Sequence, residues 1–239
     1  DPAADPVADP VADPVADPVA DPAVADAAEG EGNAIVVTAR RRAEDVQEVP
    51  VAISVLSAEK IDATGAFNIQ RVTQLQPTVQ FYSQNPRNTF INIRGIGAPF
   101  GLTNDGFEQG VGIYIDDVYY NRIASATLDF VDVDSIVTLR GPQGTLYGKN
   151  TTAGAINITT RAPSFDLEGK AEVSLGNIGF KQGKASISGP LSENLAARIS
   201  ATGTHRRGTV FNTTTNTYIQ SQDNVGVRGA LLWKPNSDI

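Results

Sequence analysis

Five aspartates, one histidine, two arginines and one glycine-rich loop are the residues whose types and spacing could do chemistry. Asp116-Asp117, Asp129, Asp132 and Asp134 cluster as carboxylates do at acid/base and cation sites. Neighbouring carboxylates on a strand point to opposite faces, however, and no histidine lies among them, so turn and solvent-facing roles are expected. His205, the single histidine, has no G-x-S-x-G elbow to serve and is expected on the surface near a strand end. Gly144–Asn150 (GTLYGKN) approaches the phosphate-loop pattern G-x-x-x-x-G-K-[ST] and breaks it twice. Gly144 and Gly148 are one residue too close, and Asn150 stands where a Ser or Thr would hold magnesium. Cysteine is absent, which removes disulfides, thiolate metal sites and Cys nucleophiles together. No enzyme, cofactor or metal centre is expected.

Arg94 and Arg140 differ from the rest. Each closes an apolar-alternating run and precedes a glycine. A guanidinium there needs a carboxylate if it is buried and none if it faces water. Arg140 opens the densest glycine stretch, Leu139–Ile158 (LRGPQGTLYGKNTTAGAINI), with Gly141, Pro142, Gly144, Gly148 and Gly154. Ser135–Arg140 and Ala155–Thr160 flank it and alternate with β-branched residues, so a strand, a tight glycine turn and a second strand are expected.

The elements that hold this unit follow from periodicity. Val49–Leu56 is expected as a strand, with Ser57 capping a helix that follows it. Phe67, Ile69, Val72 and Leu75 space a short amphipathic helix that must end before Pro77. Val79–Tyr82, Phe90–Arg94 and Val111–Tyr120 are expected as strands, and Gly95–Gly110 as an exposed loop. Residues 49–165 thus form an α+β domain with a small mixed sheet.

From residue 166 to 239 strict alternation takes over. Ala171, Val173 and Leu175 interleave with charged and small residues, as do Ala185 and Ile187, then Leu195, Ala197, Ile199 and Ala201, and lastly Val225, Val227, Leu231 and Trp233. Short turns are expected at Gly176–Phe180, Pro190–Asn194 and Pro235–Asp238, and a long polar loop at Arg206–Gln222. Segments of about ten residues with one apolar face suit tilted membrane strands, and a soluble antiparallel sheet shows the same alternation.

The N-terminus has another composition. Residues 1–33 carry DPAA, four copies of DPVA and DPAVA, and hold nine acids with no base. The rest of the chain is therefore close to neutral despite a net charge of −8, and it lacks the basic stripe that nucleic acid requires. Proline at every fourth position excludes a helix or central strand and leaves an extended acidic spacer, on the order of 80–90 Å long at ~3.1 Å per residue. Residues 34–48 follow as a β-prone run, Ile35-Val36-Val37-Thr38-Ala39, then Arg40-Arg41-Arg42. The run suits a first strand of the domain or a peptide offered to another protein's sheet edge. No run is long and apolar enough for a membrane helix.

On Ile35–Ser57, Ile91–Gly97 (INIRGIG), Val111–Arg122 and Leu139–Pro163 the chain resembles TonB-dependent outer-membrane receptors, close to those of sphingomonads and caulobacters. The resemblance implies an α+β plug followed by the first antiparallel strands of a transmembrane β-barrel of about 22 strands. It implies a TonB box at Ile35–Ala39, facing the periplasm and pairing with TonB of the inner-membrane energising complex. It implies plug–barrel anchoring by Arg94 with Gly95 and by Arg140 with Gly141, Pro142, Gly144, Gly148 and Gly154, the arginines meeting wall glutamates. Pro99, Phe100, Asn104 and Phe107 lie where apical loops face substrate. The implied function is active import of a scarce large solute such as a ferric siderophore, cobalamin or an oligosaccharide. The implied partners are TonB, outer-membrane lipid and a small-molecule or metal-chelate ligand. An adhesin or passive porin with a structural N-terminal domain is the alternative. Four strands cannot close a barrel, so a continuation beyond Ile239 is expected, and the lack of methionine even at residue 1 points to a removed leader. The repeat is too short to fold a signalling domain, so no anti-sigma partner is expected.

Overall fold

The computed structural model describes residues 36–37, 44–45, 51–83, 85, 88–98 and 108–235. In chain order these form β1 (Val36–Val37), β2 (Glu44–Asp45), β3 (Ile53–Ser57), α1 (Ala58–Thr64), α2 (Ile69–Val72), β4 (Val79–Ser83) and β5 (Thr89–Ile93). Next come β6 (Val111–Ile115), β7 (Val118–Tyr119), a 3-10 turn at Ile123–Thr127, β8 (Val133–Arg140), α3 (Gly144–Tyr147) and β9 (Gly154–Thr160). Then follow β10 (Glu168–Leu175), β11 (Lys181–Ser192), β12 (Leu195–Arg206), β13 (Val210–Asn212), β14 (Thr217–Ile219) and β15 (Gln222–Trp233).

The first domain is built on a five-stranded sheet of order β3-β8-β9-β6-β7. It is mixed, as expected: β6 runs parallel to β9 and the other pairs are antiparallel. Both faces are covered. Ile113, Ile136, Ile156 and Ile158 pack with Ile61, Ile69 and Val72 of the helices and with Ile91 and Ile93 of the β4–β5 hairpin. On the other face Tyr114, Val137, Leu139, Tyr147 and Ala155 pack beneath Val51, Ile53 and Val55. This two-sided burial is why Ile136, Val137, Thr138 and Leu139 are buried in an unbroken run.

Several local expectations change in the folded chain. Ser57 precedes α1 but makes no side-chain cap, and α1 stops at Gly65 in the left-handed conformation, φ 63°. The Phe67–Leu75 helix shortens to one turn capped by Asn68, because Gln74, Leu75 and Gln76 bond three residues back in a tighter 3-10 pattern. Val111–Tyr120 is a hairpin, not one strand: Asp116 (φ 48°) and Asp117 (φ 62°) both turn left-handed, as a tight β-turn requires. Pro190 lies inside β11 beside a register shift rather than in a turn, so the β11–β12 connection narrows to Glu193-Asn194. The long Arg206–Gln222 segment carries its own β13–β14 hairpin.

The second layer is a four-stranded antiparallel sheet, β10-β11-β12-β15. Val173, Ile187, Ile199, Val225, Val227 and Leu231 project outward and are exposed, and Trp233 ends that face beside the short-turn side. Gln182, Ser188, Arg198, Ser200, Thr202 and Thr204 project inward and are buried against the first domain. The outer face of this wall is apolar and its inner face is polar. That is the reverse of a soluble sheet, whose buried face is apolar.

Candidate functional site

Charged and polar side chains make most of the named contacts that fasten the first domain to the wall. Asp132 is the centre. It turns left-handed (φ 55°) just before β8, and its carbonyl accepts from Arg161 N at 2.9 Å. Its carboxylate accepts from Arg198 Nε, from Arg198 Nη2 at 3.1 Å and from Ser200 Oγ at 2.6 Å, with Arg161 Nη1 at 3.9 Å. Both side chains of this pair are nearly sealed from solvent, 5% exposed for Asp132 and 6% for Arg198. Burial pushes the Asp132 carboxyl up, but hydrogen bonds from Arg198 and Ser200 and the charges of Arg198 and Arg161 outweigh it and hold the group below its ordinary range.

Three further aspartates of the first domain make the same kind of contact. Asp116 accepts from Thr160 N (2.8 Å) and from Arg228 Nη2 (3.2 Å) on β15. Asp129 accepts from Asn224 Nδ2 at 2.9 Å and Gln222 Nε2 at 3.2 Å. Asp62, on α1, pairs with Arg161 at 3.3 Å and with Lys170 of β10. Gly226 makes room for the approach, since a Cβ there would lie 2.7 Å from Val131 Cγ2. Each of these carboxylates accepts a hydrogen bond from a side chain of the wall, so together they anchor the first domain to it.

Turn and solvent-facing roles were expected for Asp116, Asp129 and Asp132, and Asp116, exposed in its turn, keeps both while also reaching the wall. The turn expectation holds for Asp116 and Asp132, but the solvent-facing one fails for Asp132 because the wall closes over it. Arg198 and Arg228 were missed. Their signal was present: each is a charge on the polar face of an alternating strand, where only a covered face needs a countercharge. His205 lies near the end of β12, exposed, with Nδ1 2.5 Å from Asp223 Oδ1.

The other expected residues fall in several places. Arg140 donates through Nη2 to Ile53 O (2.8 Å) and Ser54 Oγ (2.6 Å), and its amide bonds Ala52 O, so it clasps β3 within its own domain. Arg94 is exposed, with φ 54°, and follows β5 directly. Among the described residues, neither arginine forms an ion pair with a carboxylate. Gly154 faces Arg140 across the β8–β9 ladder, and a Cβ on it would sit 2.2 Å from Leu139 O, so its close approach is inside the sheet. Gly95, Gly141, Gly144 and Gly148 open onto free space, and Pro142 leads into α3. Val36 and Val37 pair with Asp45 and Glu44 in an antiparallel ladder. Ile35, Thr38 and Ala39 lie outside the described residues, as do Pro99, Phe100, Asn104 and Phe107.

Residues 45–155 match the family described as the TonB-dependent receptor plug domain. The pesticin receptor of Yersinia pestis is 28% identical over 174 residues, covering 72% of this chain and 25% of that protein. The ferrioxamine B receptor of Salmonella typhimurium is 26% identical over 155 residues, covering 64% and 22%. Among solved structures, the ferric yersiniabactin uptake receptor of Yersinia pestis aligns at a TM-score of 0.71 and 25% identity over 78% of this chain and 29% of its own. The ferripyoverdine receptor of the outer membrane of Pseudomonas aeruginosa shares the fold, with a TM-score of 0.67 and 18% identity over 84% and 26%. The chain spans about a quarter of the length of the relatives it matches.

Proposed function

We propose that this chain, whose residues 45–155 match a TonB-dependent receptor plug and whose wall resembles the start of that receptor's barrel, is the N-terminal part of an outer-membrane importer of a metal chelate. The relatives are receptors and not enzymes, in keeping with the absence of a catalytic set from the sequence. One observation carries the reading: an apolar outer wall with a polar inner face, held by a buried ion pair to a domain that matches the plug. Such a wall is stable in lipid with the plug in its lumen, and its exposed valines, isoleucines and leucines would drive association in water.

In this reading the wall meets outer-membrane lipid and the strand ends with short turns face the periplasm. The residue 1–33 spacer and the box at Ile35–Ala39 reach into that space, where TonB adds a strand to the box and draws on its inner-membrane complex. Pulling on the box loads Ala52 and Ile53, the start of the sheet's edge strand, which Arg140 clasps. Arg94 further anchors the plug to wall residues beyond this chain, and Pro99, Phe100, Asn104 and Phe107 line the outward loop. The cargo is a ferric siderophore, the class named for several relatives, among them a catecholate siderophore receptor and the ferric yersiniabactin uptake receptor.

The test is Val37→Pro in the full-length receptor, which removes a main-chain donor from the box. TonB binding in a pull-down and uptake of radioactive iron as a siderophore complex should both be lost. Uptake at the parental rate would place the protein among passive porins or adhesins. Deleting Asp5–Ala20 shortens the spacer by on the order of 50 Å and should slow uptake without altering chelate binding.

A further inference from the structure

The seam between the first domain and the wall is not sealed along its whole length. Where α1 and α2 face β10 and β11 it opens into a cleft of about 290 Å³. Phe180 of the β10–β11 turn forms one side, packed on the buried Phe67 of the plug with ring centroids 5.3 Å apart and planes inclined by 32°. Arg71 stands at its lip, exposed, with its guanidinium carbon 5.6 Å from the Phe67 ring centre and no ion-pair partner among the described residues. Gln74, Ser174 and Gln182 supply polar groups around it. The cleft opens beside the Gly176–Phe180 turn, on the side of the wall that carries the long 207–221 connection.

We propose that this cleft is a binding site for a planar anionic group, a carboxylate or phenolate on an aromatic ring, carried by the transported chelate. The proposal rests on the importer reading above, which supplies the outward orientation and the cargo. Chemistry selects the class. The half-buried ring of Phe180, backed by Phe67, takes a flat ring by offset or edge contact. An unpaired guanidinium at the mouth supplies planar donors to an oxyanion and disfavours a cation. The volume lies at the small end of ligand pockets, so the cleft takes one arm of a chelate and not the whole complex. It is separate from Asp132 and Arg198, which are fully engaged with each other, so occupying it leaves the anchor intact.

This chain has no cysteine, which makes thiol labelling a clean test. Gln74→Cys is placed in the full-length receptor, with any cysteine outside these residues removed, and intact cells are treated with membrane-impermeant methanethiosulfonates. With each rate divided by that reagent's rate toward a free thiol in solution, the sulfonate reagent should be favoured at least about fivefold over the trimethylammonium reagent, and Arg71→Gln should abolish that preference. Ferric 2,3-dihydroxybenzoate, an anionic aromatic chelate, should slow labelling at least about fivefold when Arg71 is present. Ferrioxamine B, a cationic chelate with no aromatic ring, should not. Equal reagent rates, no labelling from outside, or no protection by the catecholate would each overturn the site. Val37→Pro leaves these readouts unchanged if the site is right, so loss of the importer reading and loss of the site are separately visible.

Discussion

The two ends of strand β8 carry charges of opposite sign and different reach. At its start Asp132 crosses to the wall and takes Arg198 and Ser200 of β12. At its finish Arg140 turns back and holds Ile53 and Ser54 of β3. The family resemblance cast the arginine as the residue that reaches the wall, and the residues themselves cast the aspartate in a turn or solvent-facing role. Among the described residues it is the aspartate that spans, because β12 brings an arginine to its side chain, whereas the β3 edge is what lies beside Arg140. A charge at a strand end anchors whatever the neighbouring layer offers it.

The largest test of this contrast is Asp132→Ala. It leaves Arg198 buried without its partner and should weaken docking by about 3–5 kcal/mol. In the full-length receptor, hydrogen exchange at Val133–Leu139 should then accelerate at least about a hundredfold, since ~1.4 kcal/mol is a factor of ten. An effect under tenfold would mean that the apolar core, and not this pair, sets the plug's attachment.

Arg140→Ala comes next. It removes two hydrogen bonds from a charged donor, about 1.5–3 kcal/mol, and its effect should stay local. Exchange at Ile53–Ser57 should rise while Val133–Leu139 near Asp132 remains protected. Equal acceleration at both ends would erase the distinction drawn between them.

Acid provides a graded version of the first experiment. The Asp132 carboxyl is depressed in the folded state, so its contribution is complete above the ordinary aspartate value of 3.8 and fades as pH falls through the depressed one. Protease sensitivity of the plug, followed from about pH 6 down to about pH 3, should rise only toward the acid end. Asp132→Asn should flatten that rise. The smallest effect belongs to Arg228→Gln. Its bond to Asp116 is partly exposed at both partners, and its loss should change exchange by less than about 1 kcal/mol.

Much of the second layer was legible. Every outward residue named from alternation projects outward, because a period of two fixes the face of each side chain once a strand exists. The strand–turn–strand of Ser135–Thr160 was legible for the same reason, with glycines marking the turn. The failures are places where a neighbour decides. Val111–Tyr120 looked continuous because Asp116-Asp117 alternates with apolar residues, yet asparates tolerate the left-handed turn that doubles the chain back. The helix at Phe67–Leu75 kept its buried face but lost its second turn, since burial of Phe67, Ile69 and Val72 needs only one. Asp62 and Lys170 gave no signal at all, being charges far apart in sequence that meet only across the seam.

By itself, then, the sequence determined the elements and their faces: a mixed α+β unit and a wall of alternating strands. These depend on local sterics and on period, and both are written in neighbouring residues. Tertiary structure alone decided which charges meet and which arginine stays home. An ion pair is a relation between positions dozens of residues apart, and its worth depends on the burial that only the closed interface creates.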